Sequence, residues 1–175
     1  MKKLHYLALL LIACLPAAPV MAFGLYVEGA ASVLSGEDTI VQVRPVVSKV
    51  TAGVEITPHY MIEVQSIGNG DETDAGSGAS LQIGGISAAY LRLDSGLNAG
   101  MRMYFLVGQA ETTLSATGIN GFTASETTYS DFSWGVGIED RILFKYLFLT
   151  VSYTEYYKEN DTKLSSGSIG VKLAF

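Results

Sequence analysis

The last twelve residues, LSSGSIGVKLAF from Leu164 to Phe175, constrain the fold most. Ile169, Val171, Leu173 and Phe175 share one parity, and Ser168, Gly170, Lys172 and Ala174 share the other. Successive strand side chains point to opposite faces, so one face is apolar and the other is small or charged. The apolar strand ends on an aromatic with no polar tail. Exposed at a soluble sheet edge, it would be an aggregation hazard. In a closed transmembrane barrel its apolar face meets lipid and its edge pairs with the first strand.

The opening MKKLHYLALLLIACLPAAPVMA has a positive start at Lys2 and Lys3 and an apolar stretch from Leu4 to Leu15. Val20-Met21-Ala22 presents small residues where a signal peptidase reads, so cleavage is expected after Ala22. Residues 1–22 then form a signal peptide and 23–175 the barrel domain. The apolar stretch is short for a span of about 20 residues, and Pro16 and Pro19 break its continuation. Leu11-Ile12-Ala13-Cys14 also resembles a lipoprotein box, which would place a lipid on Cys14 and leave the Ala22 site unused. Cys14 is the only cysteine of the chain, so cleavage after Ala22 excludes disulfide and thiol chemistry. Without Lys2 and Lys3, nine of the 11 basic residues stand against 17 acidic ones, a net charge of −8. That balance excludes a basic nucleic-acid footprint. No apolar run of about 18 residues occurs after the signal. Yet 49% of the chain is apolar, as expected when half of each strand faces lipid.

The alternation predicts eight strands. The first is Phe23–Ser35 and the second Val46–Thr57, where Val50, Ala52, Val54 and Ile56 alternate with Thr51, Gly53, Glu55 and Thr57. Tyr60–Gly68 is the third. Leu81–Leu93 is the fourth, with mixed parity. Gly100–Thr113 is the fifth, Tyr129–Arg141 the sixth, Leu147–Lys158 the seventh and Leu164–Phe175 the eighth. Short turns fall at Pro58-His59, Asp94-Ser95-Gly96 and Leu143–Tyr146. Longer polar, Gly-rich or charged loops fall at Gly36–Pro45, Asn69–Ser80, Leu114–Thr128 and Glu159–Lys163. The fold class is therefore all-β, an eight-stranded antiparallel up-and-down transmembrane barrel. Its short turns and both termini are expected in the periplasm and its long loops outside. Aromatics cluster at the strand ends. Phe23, Tyr60, Tyr90, Tyr104, Tyr146, Phe148 and Phe175 fall at one end. Tyr129, Phe132, Trp134, Tyr153, Tyr156 and Tyr157 fall at the other, so two interfacial girdles are expected.

On these residues the chain resembles the small bacterial outer-membrane barrels of the opacity-protein, OmpA-like and OmpX-like superfamily. Val50-Thr51-Ala52-Gly53-Val54-Glu55-Ile56-Thr57-Pro58 with Met61-Ile62-Glu63 resembles their second hairpin. Tyr104-Phe105-Leu106-Val107-Gly108 resembles their fifth strand, although it has less glycine. Gly135-Val136-Gly137 and Gly170–Phe175 resemble their last strands. The resemblance implies integral residence in the bacterial outer membrane. It also implies that Ile169, Val171, Leu173 and Phe175 form the C-terminal signal read by the barrel-assembly machinery.

Glu28, Glu55, Glu63, Glu139, Arg141 and Lys172 all fall on the lumen parity, with Arg92 and Arg102 as candidate partners. An eight-stranded barrel is only wide enough inside for side chains. Charges there must be paired, because an unpaired one costs several kcal/mol. These residues are expected to form a lumenal ion-pair network, resembling the one that plugs OmpA-type barrels, with structural fill as the plainer role and a proton or ion path as the other. Enzymatic readings fare poorly. Lipid-modifying and proteolytic barrels that resemble this chain in size need a histidine near the outer rim. His59, the only histidine after the signal, follows Pro58 in a periplasmic turn. One histidine and no cysteine give no zinc set. Asp71, Glu72 and Asp74 in the second long loop offer carboxylates for Ca²⁺ or for a divalent bridge to lipopolysaccharide, but they lack the spacing of a calcium loop and a solvated acidic loop is the plainer reading. No cofactor is expected.

The leading function class is a non-enzymatic surface protein, giving envelope integrity or adhesion through its loops. The alternative is a narrow pore or an OmpW-like passage protein for small or hydrophobic molecules. The expected partners are outer-membrane lipid and lipopolysaccharide, the assembly machinery, and a host or surface ligand at the loops. The chain is expected to be a monomer.

Overall fold

The computed structural model describes residues 24–37, 42–69, 73–74, 80–117, 125–159 and 162–175. Residues 1–23, with Cys14, Ala22 and the expected signal segment, lie outside them, as do Asp71 and Glu72. Eight long strands follow one another: Gly24–Glu37, Val46–Thr57, Tyr60–Ile67, Ser80–Asp94, Met101–Thr117, Ser125–Arg141, Leu147–Glu159 and Thr162–Ala174. Each pairs antiparallel with the next, and the eighth returns to the first through Tyr26↔Ala174 up to Glu37↔Lys163. The sheet is therefore closed. Two short pieces extend it: Gln42–Val43 on the end of the first strand and Thr73–Asp74 on the start of the fourth.

Closure follows from the alternation. In the final strand Ile169, Val171 and Leu173 are exposed on the outside, while Ser168, Gly170 and Lys172 are buried inside. In the first strand Leu25, Val27 and Val33 face out, and Tyr26, Glu28, Ser32 and Leu34 face in. The result is an apolar exterior band around a filled interior, the inverse of a soluble barrel. The lumen has two tiers. Toward the short turns it is charged, with Arg92, Asp94, Arg102, Glu139 and Lys172 buried. Toward the loops one wall is apolar (Leu34, Val47, Ile67, Ile86, Leu106, Ala110), and the other carries the small hydroxyls of Thr154, Ser166 and Ser168.

The strand ends differ from the sequence reading in three ways. The fifth and sixth strands run on to Thr117 and back from Ser125, shortening the Leu114–Thr128 loop. Thr and Ser on both parities there give no contrast for a period-2 reading, although the backbone ladder continues to Ala116↔Ser125. The mixed parity of the fourth strand has a local cause: its register shifts between Ile83 and Ile86, across Gly84 and Gly85. Finally, the aromatics do not all belong to girdles. Tyr60, Tyr146 and Phe175 are exposed at the turn end and Phe132 is exposed toward the loops, but Tyr90, Tyr104, Phe148 and Tyr156 are buried in the lumen. Position along a strand sets the height of a ring; its parity decides whether lipid or lumen receives it.

Candidate functional site

The most built feature is the charged tier of the lumen. It is assembled from the turn-side ends of the third to sixth strands and the eighth. Arg92 is its hub. Its guanidinium donates to both carboxylate oxygens of Asp94, from Nε at 2.7 Å and from Nη2 at 3.0 Å. This is the bidentate geometry that arginine favours. Nη2 also lies 2.8 Å from Glu139 Oε1, and Nη1 lies 3.8 Å from Glu63 Oε2. The Arg102 guanidinium pairs with Glu139 and lies 3.2 Å from Asp94 Oδ2. The Lys172 ammonium closes the group on Glu139. Three cations thus meet the carboxylates of Asp94, Glu139 and Glu63. All six residues are at most 8% exposed.

Aromatic rings complete the tier. Arg92 sits 3.7 Å from the Tyr104 ring centre and 5.7 Å from that of Tyr26, while Lys172 lies 4.8 Å from Tyr26 and 5.0 Å from Phe148. The negative ring faces share the stabilisation of cations cut off from water. The Tyr26 hydroxyl donates to Glu63 Oε2 at 2.5 Å, and Gln65 Nε2 donates to Glu63 Oε1 at 2.8 Å. A separate pair lies farther up: Lys49 Nζ is 3.6 Å from Glu28 and donates to Ser152 Oγ at 3.1 Å.

Of the residues that parity placed in the lumen, Glu63, Glu139 and Lys172 come together with Arg92 and Arg102. Glu28 joins Lys49 instead. Glu55 is half-buried at the mouth, 3.9 Å from Arg102 Nη1. Arg141 is exposed, with its guanidinium 6.0 Å from the Phe148 ring centre. Asp94 and Lys49 are the members that the sequence reading missed. Asp94 reads as a turn residue before Ser95-Gly96, yet it shares the parity of Arg92 two positions earlier. Lys49 shares the parity of Thr51 and Gly53. His59 is exposed in the first short turn, its Nδ1 3.1 Å from the Asp94 carbonyl oxygen.

The charge of the chain is divided along the barrel. The segments from the outer strand ends through the loops (35–46, 68–86, 109–131 and 155–163) contain 11 acidic residues and three basic ones, Arg44, Lys158 and Lys163. Their net charge of −8 equals that of the whole chain after Ala22; the lumen and turn end are balanced.

The fold matches small membrane barrels. Ail, the attachment invasion locus protein of Yersinia pestis, crystallised with the heparin analogue sucrose octasulfate, superposes with a TM-score of 0.68 at 11% identity, over 89% of this chain and 100% of Ail. Neisserial surface protein A gives 0.69 at 15% identity over 86% and 97%. The outer membrane protein OprG from Pseudomonas aeruginosa gives 0.62 at 12% over 87% and 95%. At these identities the likeness is one of fold. No curated protein matches the sequence. The family model of the outer membrane protein beta-barrel domain matches residues 6–175, and the chain belongs to that family, as an integral barrel of the bacterial outer membrane.

Proposed function

We propose that this barrel is a non-conducting scaffold that holds its outer strand extensions and loops at the cell surface, for envelope integrity or attachment. The observation that carries this reading is the plug. Arg92, Glu139 and Lys172 are at most 1% exposed and cross-linked from the fourth, sixth and eighth strands, so a hydrated ion has no path past them. A buried cluster of this kind is retained only where its members satisfy one another. Ail is by name an attachment protein and was crystallised with a heparin analogue. The outer segments here carry a net charge of −8. A sulfated polyanion is repelled by such a surface, and the partner is neutral or cationic. Purified protein in planar bilayers is expected to give no steady current, and cells lacking the loop residues 118–124 are expected to attach less to a surface that the intact cells hold. A steady ohmic current through the wild type overturns the scaffold reading; unchanged attachment of the cells with the deletion removes its adhesive half.

A second reading rests on the apolar tier. Leu34, Ile67, Ile86 and Leu106 line the lumen above the plug, where a small apolar molecule would find a matching wall. Saturable binding of a fluorescent fatty acid, lost in Leu106→Asn, would favour passage or storage of such molecules. No saturable binding would leave the scaffold reading alone.

A further inference from the structure

The sixth strand rises beyond its neighbour on one side. Its ladder with the seventh strand ends at Trp134↔Glu155, while its ladder with the fifth continues to Ala116↔Ser125. A bulge accounts for the parting. Ser165 pairs with Glu155 and Leu164 with Tyr157, so Tyr156 is an extra residue on the seventh strand. Its ring is buried in the lumen, and its hydroxyl lies 3.0 Å from Ser166 Oγ. A bulge bends its strand and disrupts the local ladder. Below it the Glu155 carbonyl faces the sixth strand and accepts from Ser133 Oγ; above it the Lys158 N–H does so and donates to Asp131 Oδ2. Counting on from Trp134↔Glu155, Ser130 would stand opposite Glu159, where the seventh strand ends. Among the described residues, no strand pairs with this side of the sixth strand from Ser125 to Ser130.

The open side presents particular backbone groups. The Phe132 N–H donates to Asp131 Oδ1 at 2.7 Å, so it is turned away from the fifth-strand ladder. Along an antiparallel strand, residues whose N–H and C=O face one neighbour alternate with residues that face the other. Glu126, Thr128 and Ser130 therefore share the orientation of Phe132 and turn three N–H and three C=O groups to the open side. The run from Ser125 to Ser130 is about 20 Å long at roughly 3.3 Å per residue. Edges that must stay unpaired are blunted by lysine, proline or a bulge. Ser125–Ser133 reads SETTYSDFS, with no lysine and no proline, and its ladder with the fifth strand has no shift of register. Its only charges are those of Glu126 and Asp131.

We infer that this edge is a docking site for an extended, positively charged polypeptide segment, which adds as a further strand beside Glu126, Thr128 and Ser130. The inference rests on the adhesive reading above and names the kind of partner. Two observations select this occupant. A row of unpaired N–H and C=O groups is matched by the backbone of another strand. The outer segments carry a net charge of −8, so lysine or arginine on that strand is attracted to them. A second copy of the chain does not fit. Strands of membrane barrels tilt by about 35–45°, so two copies upright in one membrane would cross their sixth strands at about twice that angle and could not form a ladder. On a facing membrane, two outer surfaces of the same charge repel.

A short fluorescent peptide of alternating threonine and valine, with lysine at two positions, tests the edge by anisotropy against the full-length barrel in nanodiscs. The wild type is expected to bind it saturably. Methylating the backbone nitrogens of the peptide, or replacing its lysines by glutamate, is expected to weaken binding about tenfold. Bound peptide is expected to slow hydrogen exchange at Thr128 and Ser130 about fivefold and to leave Tyr129, which faces the fifth strand, unchanged. Thr128→Pro removes only an N–H on the open side, which an edge strand tolerates, and is expected to lose the peptide. Heat-dependent gel mobility shows that the variant is folded, and Ser130→Pro replaces it if it is not. No saturable binding, equal binding of the methylated peptide, or retention by the proline variant overturns the site. So does self-association of the barrel through this edge. Cells with Thr128→Pro that attach as the wild type does, where cells lacking residues 118–124 do not, overturn the edge and leave the adhesive reading standing.

Discussion

Tyr104 rests on Gly137, its cross-strand partner, so closely that the ring occupies the space a Cβ would need. Tyr26 rests on Gly53 in the same way, on the first and second strands. The Arg92 guanidinium lies over both rings. The glycines are therefore slots that let two rings lie flat and hold the hub of the plug between them.

Gly137→Ala must push the Tyr104 ring toward Arg92, which has no room to move. Overpacking of this kind costs about 1–3 kcal/mol, and the rigid neighbour places the expected loss near the upper end. The midpoint of urea unfolding in lipid vesicles measures it. Tyr104→Leu removes the ring from the slot, so in that background the alanine is expected to cost less than about 1 kcal/mol. An equal loss in both backgrounds would place the cost in the backbone and not in the ring.

Arg92→Met leaves Asp94 and Glu139 with fewer partners inside a closed barrel. Breaking a buried pair from one side costs about 3–5 kcal/mol, because the remaining charge stays desolvated. Adding Glu139→Gln to Arg92→Met is expected to recover part of the loss, since it removes one of the excess negative charges. If Arg92→Met unfolds at the wild-type urea concentration, the network contributes nothing to stability.

Phe175 gives a different contrast. Its backbone N–H donates to Leu25 O at 2.7 Å, while its ring is 68% exposed on the outer face at the turn end. Phe175→Ala is expected to cost about 1–2 kcal/mol of unfolding free energy in lipid vesicles, the loss of one ring from the membrane interface, and so to remain folded. In cells, a signal read by the assembly machinery predicts a several-fold loss of heat-modifiable barrel in the outer membrane. Normal assembly of the variant would remove the signalling role of the ring.

Eight strands and three short turns are legible in the sequence because lipid outside and side chains inside impose opposite polarities on successive residues. Val50 to Thr57 is the clearest case. The pattern loses its meaning where that contrast fades. Thr and Ser from 114 to 128 suit water on both faces, so the outer ends of the fifth and sixth strands carry no alternation. The two-glycine bulge in the fourth strand changes the parity on which the reading depends. In the plug, parity places Glu63, Glu139 and Lys172 in the lumen, but which carboxylate meets which cation depends on height and on the slots at Gly53 and Gly137. A single strand does not encode either.

The ladder along the seam between the sixth and seventh strands ends before either strand does. Their ladder stops at Trp134↔Glu155, although the sixth strand continues with the fifth to Ser125 and the seventh continues with the eighth to Glu159. Side chains replace the missing rungs. Ser133 Oγ donates to the Glu155 carbonyl at 2.6 Å, the Lys158 backbone N–H donates to Asp131 Oδ2 at 3.3 Å, and Tyr129 and Tyr157 meet at 5.3 Å. A side-chain bond to the backbone is worth about 1 kcal/mol net. Asp131→Ala is therefore expected to raise the hydrogen-exchange rate of the Lys158 amide about fivefold, while Val151 and Ser152, inside the continuous ladder, exchange as before. Uniform acceleration along the seventh strand would mean that the substitution loosens the whole barrel and that the seam is no separate unit. No change at Lys158 would mean that the Asp131 bridge does not hold it.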